Sequence, residues 1–299
     1  MDNCSYFIEG TALFGCYPTQ EFVDYLQQKM EIDYFIDLTE DDEKNFTKYT
    51  LSRGKKINYP IQDKSVPDNI RTFSSFILTL LAIINNKNKM YIHCRGGHGR
   101  SGIVVACLMK MYYKIDVDKA LGLTYECHQK RRVMREKWRH IGSPQTIYQK
   151  NFVRELFIPI CYNNYNKDNN YMSNFYTSPF DICINNKIER FYNAEACYQA
   201  FKNETDDEYV SLLKNEIDPK KAIQIGLGQD SDTWDSRCVN IMENIVREKF
   251  TQNKEIRDKL LATGLGEIIK ISERTTFWNY IHYNRMGSLL TRIRNEFYK

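Results

Sequence analysis

Met90-Tyr91-Ile92-His93-Cys94-Arg95-Gly96-Gly97-His98-Gly99-Arg100-Ser101-Gly102 is the stretch on which the reading of this 299-residue chain turns. An apolar strand runs into Cys94. Five residues follow, three of them glycine, and Arg100 then opens an apolar helix. Glycines let successive backbone N–H groups turn inward, and the helix directs its positive end to the same spot. The pattern therefore predicts a phosphate cradle, Arg95 to Arg100, with a nucleophile at its centre. A sulfur surrounded by such donors is favoured as the thiolate. Arg100 can grip two phosphate oxygens in a fork. Ser101 sits where its hydroxyl can hydrogen-bond the sulfur and help it leave.

Working outward, residues 1–158 alternate strand and helix signals, which implies an α/β layer on a central, mostly parallel sheet. Phe7 to Gly15 reads as a hairpin or edge strand, and Glu21 to Gln28 as a helix after the Pro18-Thr19 start signal. Tyr34 to Leu38 and Lys56 to Pro60 read as short strands, with a helix opening at Pro67-Asp68. Met90 to His93 is the buried central strand. Ser101 to Tyr113 is so uniformly apolar that its helix must be covered on most sides. Helices at Asp116–Arg131 and Ser143–Phe157 follow.

The His-Cys-five residues-Arg-Ser run, His93 included, resembles the signature of the cysteine-dependent tyrosine and dual-specificity phosphatases. The resemblance covers about half the chain. It implies two steps without a metal: Cys94 attacks phosphorus while an acid protonates the leaving oxygen, and water then hydrolyses the phosphocysteine. In Tyr59-Pro60-Ile61-Gln62-Asp63, Asp63 resembles the general acid of the dual-specificity loop; Asp68 is the rival, its place after Pro67 suiting a helix cap. Ser143-Pro144-Gln145-Thr146 resembles the start of the closing helix of compact phosphatases. From it Gln149 takes either a water-orienting role or that of a surface residue. Arg95 and His98 either favour multiply charged substrates, such as a phosphoinositide or an RNA 5′ end, or fan into solvent.

Composition narrows the class. A hydrophobic share of 42% with 27% charged residues fits a globular protein, and the length suggests two domains. A net charge of +4 is too mild to imply nucleic acid by itself. Nine scattered Cys, an odd number without a Cys-x-x-Cys pair, favour a reducing compartment and no structural zinc. With no signal-peptide pattern and no apolar run of membrane length, the expectation is a cytoplasmic or nuclear protein without membrane partner, metal or cofactor.

Residues 159–170 are polar and Asn-rich and read as a linker. Beyond it, helical periodicity marks Ala194–Lys202, Glu208–Asn215, Pro219–Gln224, Trp234–Phe250 and Lys254–Ala262. Five pieces of this half resemble the NADAR family of N-glycosidase-like domains: Ser173 to Phe180, Asn193 to Lys202, Trp234 to Phe250, Leu260 to Gly264, and Phe277-Trp278 with Asn284 to Gly287. The resemblance implies a mainly helical domain at 171–299 that takes a nucleotide-sugar or ADP-ribosylated ligand. Asn174, Phe175, Tyr198, Gln199, Trp234, Trp278, Asn284 and Arg285 are its candidate ligand contacts.

Glu195, Tyr198 or Gln199, and Lys202 recur at helical spacing on one face. Glu195 is then placed to move protons and Lys202 to attack an opened ribose as a Schiff-base nucleophile. Three departures stand out. Ala196 follows Glu195 where the family has His. Arg274-Thr275-Thr276 lacks the family's acidic residue before Trp278, and Asn279 to Tyr283 replaces its Gly-rich acidic loop. The sequence thus implies a phosphatase acting on a phosphorylated protein or other phosphomonoester, joined to an N-glycosidase. The alternative is a phosphatase targeted by a non-catalytic nucleotide-sugar reader. Nucleic acid enters only as an ADP-ribosylated or 5′-phosphorylated substrate.

Overall fold

Strands that are apolar on both faces need cover on both sides, which selects a parallel sheet between helices. In the computed structural model, which describes residues 2–43, 47–165, 167–231, 233–271, 277–278 and 284–298, the first half follows this rule. Its elements are β1 (Cys4–Ile8), β2 (Ala12–Gly15), α1 (Gln20–Lys29), β3 (Tyr34–Asp37), β4 (Lys55–Asn58), α2 (Ile70–Asn85), β5 (Met90–His93), α3 (Arg100–Tyr113), α4 (Val117–Gln129), α5 (Glu136–Ile141) and α6 (Ile147–Leu156). The sheet order is β1-β2-β5-β3-β4. β5 pairs in parallel with β2 and β3, Ile92 lying opposite Phe14 and Ile36, while β1 closes one edge as an antiparallel hairpin. The carboxyl end of β5 thus emerges mid-sheet, where open α/β sheets bind ligands. α3 is buried from Arg100 to Met109, as its apolar sequence requires.

Local chemistry sets the helix starts. Thr19 accepts from the Phe22 amide at the start of α1, and Thr146 and Gln149 form a reciprocal capping box on α6. α2 departs from the sequence reading. It starts at Ile70, capped by Asn69, whose side chain accepts from the Thr72 amide at 3.0 Å. Asp68 is therefore one residue too early to be the cap. α5 had no sequence signal strong enough to find it, being only six residues long.

By its contacts the chain divides into two units, whose main blocks are Met1–Ile158 and Pro159–Phe297. The stretch read as a linker opens with a strand, β6 (Ile160–Tyr162), and contains a 3₁₀ turn at Asn170–Met172. β6 pairs in parallel with a distant segment, a partnership that no local pattern announces. β7 (Phe180–Ile184) and β8 (Lys187–Phe191) form a hairpin whose two turn residues, Asn185 and Asn186, have φ of 46° and 61°, as a type I′ turn needs. Then come α7 (Ala194–Ala200), α8 (Asp207–Lys214), α9 (Pro219–Ile225), α10 (Trp234–Gln252), α11 (Lys254–Leu261), β9 (Ile268–Lys270), the partner of β6, and α12 (Arg285–Phe297). The second unit is mainly helical, as its periodicity predicts. Among the described residues no helix is long and apolar enough to cross a membrane.

Candidate functional site

The loop between β5 and α3 is shaped by contacts that only glycine allows. Gly97 has φ +70°, and a Cβ there would lie 2.3 Å from the Gly15 carbonyl. At Gly99 a Cβ would meet the Gln149 amide at 2.8 Å. The loop is thus pressed between the end of β2 and α6, with Cys94 buried at its base. Cys94, Arg95, Gly96, His98, Gly99, Arg100 and Asp63 line one cavity of about 470 Å³. Gly97 does not line it, because it packs away against β2.

Arg100 is buried, and its fork is held from several sides. Nη1 pairs with Glu43 Oε1 and donates to the Ile61 carbonyl at 2.9 Å; Nη2 meets Glu43 Oε2 and Asp63 Oδ1, both at 3.1 Å. Burial works against the charge, but Glu43, Cys94 and Asp63 outweigh it and hold the guanidinium charged. Sequence reading missed Glu43, which lies in the acidic run Glu40-Asp41-Asp42-Glu43 after β3; that run marks an acidic loop without saying which member turns inward. Asp63, with a half-exposed side chain, sits over the cavity beside Arg100. Asp68 is exposed and does not line it.

Three expectations change here. The Ser101 hydroxyl is buried in the first turn of α3 and has no hydrogen-bond partner among the described residues, Cys94 included, so the bond to the sulfur is not made. Its donor stays unclaimed by the resting network. His98 adds no charge: its ring stacks on Trp138 (4.7 Å), Nδ1 lies 2.7 Å from His128 Nε2, and burial with Arg131 nearby pulls its pKa down to about 4. Gln149 is buried rather than on the surface. Its oxygen accepts from the Gln145 and Thr146 amides, and its nitrogen donates to the Ser65 carbonyl at 3.0 Å. Both ends being committed, it ties the Asp63 loop to α6 instead of presenting water. His93 is fully buried, 2.7 Å from the Tyr49 hydroxyl, and burial takes its pKa down to about 4.

In the second unit α7 is buried along its whole length, so Glu195 lies inside the domain and not on an open helix face. Gln199 Nε2 donates to Glu195 Oε1 at 2.8 Å, and the Glu195 amide donates to the Asn174 carbonyl. Burial raises the Glu195 pKa, opposed by Gln199, Lys270, Asn174 and Lys202. Two side-chain oxygens beside it, Asn174 Oδ1 and Gln199 Oε1, are buried without a hydrogen-bond partner among the described residues. Tyr198 packs against Trp234 (4.9 Å) and Trp278 (5.6 Å), forming an aromatic wall.

Lys202 leaves the α-helix for a 3₁₀ turn, Phe201–Asn203, which breaks the predicted i, i+7 stripe. Its ammonium is 2.8 Å from Asp230 Oδ1 and donates to the Gly226 carbonyl. Asn284 is spent on structure: its amide bonds the Lys270 N–H and the Ile268 carbonyl, pinning β9. Arg285 covers the Phe277 ring at 4.0 Å and donates to its carbonyl. Phe175 is half-buried, its N–H bound to the Ser173 hydroxyl. The altered segments Arg274 to Thr276 and Asn279 to Tyr283 lie outside the described residues.

Two lysines escaped the sequence reading. Burial lowers the pKa of Lys270, opposed by the charge of Glu195, so the two groups are electrostatically coupled. Lys249 is fully buried, donates to the Tyr171 and Ser173 carbonyls at 2.8 and 2.7 Å, and has its pKa drawn down to about 7 by burial. It clamps the backbone that presents Asn174. Its signal was present: Lys249 interrupts the buried stripe Met242, Ile245, Val246, Phe250. Among the described residues no group of three or more His, Cys, Asp or Glu is arranged to hold a metal ion.

Comparison with known proteins bears on both units. Residues 12–153 match the family described as "Swiss Army Knife protein, DSP-PTPase phosphatase domain", and residues 161–298 match the NADAR domain. The chain is 31% identical to "Putative tyrosine phosphatase 197R" of Invertebrate iridescent virus 6, over 99% of this chain and 96% of that protein. It is 28% identical to N-glycosidase YbiA of Shigella flexneri serotype 5b (strain 8401), over 42% of this chain and 79% of the relative. Among solved structures, the NMR structure of the E. coli protein YbiA covers 47% of this chain and 86% of its own, with 25% identity and a TM-score of 0.41.

Proposed function

Because the chain belongs to the family that joins a dual-specificity and tyrosine type phosphatase domain to a NADAR domain, we propose that it hydrolyses phosphomonoesters through a phosphocysteine at Cys94. The observation that carries this reading is the shared cavity: Cys94, Arg100 and Asp63 line one space, with Asp63 Oδ1 3.1 Å from the Arg100 fork. Cys94 attacks phosphorus as the Asp63 proton passes to the departing alkoxide or phenoxide. The loop amides and Arg100 offset the charge on the equatorial oxygens. Water then attacks the phosphocysteine, and Asp63 takes back a proton. Rapid quenching during turnover of an aryl phosphate, followed by mass spectrometry, should find phosphate on the peptide holding Cys94. Turnover with phosphate on another residue, or no turnover at all, would refute the mechanism.

A second reading concerns the NADAR unit, and the buried Glu195 favours it. A carboxyl whose protonated form is stabilised by burial can give its proton to a departing base, the task N-glycoside cleavage sets. The tryptophan and tyrosine wall suits a base or sugar face. Lys202 can attack an opened ribose only after its ion pair with Asp230 opens. Nucleotide-sugars and ADP-ribosylated guanosine incubated with the full chain should yield free base by mass spectrometry, and Glu195→Gln should remove that product. Binding without turnover would make the unit a reader that targets the phosphatase.

A further inference from the structure

Resting on the phosphatase reading of Cys94, we infer that the cavity over the phosphate loop holds a second anion subsite and selects substrates carrying two phosphates close together. Besides Arg100, four cationic side chains line that cavity; Arg95 of the phosphate loop is already engaged, which leaves Lys64 from the Asp63 loop and Arg135 and Lys137 at the start of α5. Among the described lining residues the one carboxylate is Asp63, already turned to Arg100 at 3.1 Å. A single phosphate is matched by Arg100 and the loop amides, so the remaining charge exceeds what one phosphomonoester needs. Cations gathered around one space repel one another until an anion enters it.

The walls also argue against an aromatic guest. A phosphotyrosine ring needs an apolar slot to bury its faces. Here the aromatic side chains lining the cavity are Trp138 and His98, stacked on each other at 4.7 Å with the rings 17° apart. The Lys137 ammonium lies 5.2 Å from the Trp138 ring centre, which holds it at the cavity wall. The other side walls are Lys64, Arg95, Arg135 and Gln145. A second phosphate finds partners at these positions and a ring does not. The chemistry is that already described: the S–P bond forms as an ester or anhydride P–O bond breaks, the leaving oxygen takes the Asp63 proton, and water releases inorganic phosphate and returns a proton to Asp63.

The test compares kcat/KM of the full chain on a phosphotyrosine peptide, a 5′-triphosphorylated oligoribonucleotide and a soluble inositol bisphosphate. At least one of the two polyphosphorylated substrates should be preferred over the peptide by about tenfold or more, and which one identifies the source of the second phosphate. Arg135→Ala/Lys137→Ala should reduce that preference about tenfold, mainly through KM, and added salt should do the same. Lys64→Asn, which tolerates the positive φ at that position, serves as a second variant on an exposed loop. Peptide turnover without such a preference, or a preference indifferent to both variants, overturns the subsite and leaves the phosphatase reading intact. Inactivity on all three substrates overturns both.

Discussion

Cys94, Arg100 and the amides between them lie on one continuous strand, loop and helix, whereas Asn174, Glu195 and Lys270 come from three separate segments of the second unit. In the first unit the short stretch from Cys94 to Ser101 carries both the proposed nucleophile and its charge partner, and the sheet only has to place the end of β5 mid-edge. In the second unit the loop that presents Asn174 is held by Lys249 from α10, and the strand that carries Lys270 is pinned by Asn284. A contiguous site has its geometry built into the covalent chain. An assembled site inherits its geometry from packing, and small changes at a distance can move it.

The largest expected effect tests the contiguous site. Cys94→Ser should lower phosphomonoester turnover by at least about 10⁴-fold while vanadate still binds, since only the nucleophile is lost. Arg100→Lys should cost about 10²–10³-fold, because a point charge cannot replace a fork already fitted between Glu43 and Asp63. Near-normal rates in either variant would break the claim that this one loop contains the chemistry.

A smaller effect tests what the tertiary structure adds to it. Asp63→Asn should lower the rate by about 10²–10³-fold, and by less with a good leaving group that needs no proton. Asp68→Asn, on an exposed carboxyl that neither caps α2 nor lines the cavity, should leave the rate near wild type. Rates measured across leaving groups decide it. If Asp68→Asn carried the loss, the acid would have been assigned to the wrong carboxyl.

The smallest effect sharpens the other side of the comparison. The Lys249 pKa of about 7 in the fold lies below its ordinary 10.5. Between those values the unfolded chain binds a proton that the native state does not, so stability should rise with pH, by at most about 1.4 kcal/mol per pH unit from this group. The penalty is present in full below about pH 7 and is relieved as pH climbs toward 10.5. Urea unfolding of wild type and Lys249→Met, followed by tryptophan fluorescence at about pH 7 and about pH 9, should show a rise that the variant lacks. Equal slopes would mean that burial does not depress the pKa of this amine.

By itself the sequence determined the parallel α/β architecture of the first unit, the place of Cys94 and Arg100, and the helical character of the second unit. These follow from periodicity, turn chemistry and a motif whose parts are adjacent in the chain, so short-range rules suffice. Tertiary structure alone decided which acid in the run 40–43 reaches Arg100, that His98 is held neutral against Trp138 and His128, and that Gln149 is a strut. It also made Ile160–Tyr162, at the start of the supposed linker, a strand paired with Ile268–Lys270, moved Lys202 off its helical stripe, and coupled the charge of Lys270 to Glu195. The reason is common to all of these. Burial and charge pairing depend on residues distant in the chain, and a side chain's charge and role are set by the neighbours it acquires only when the chain is folded.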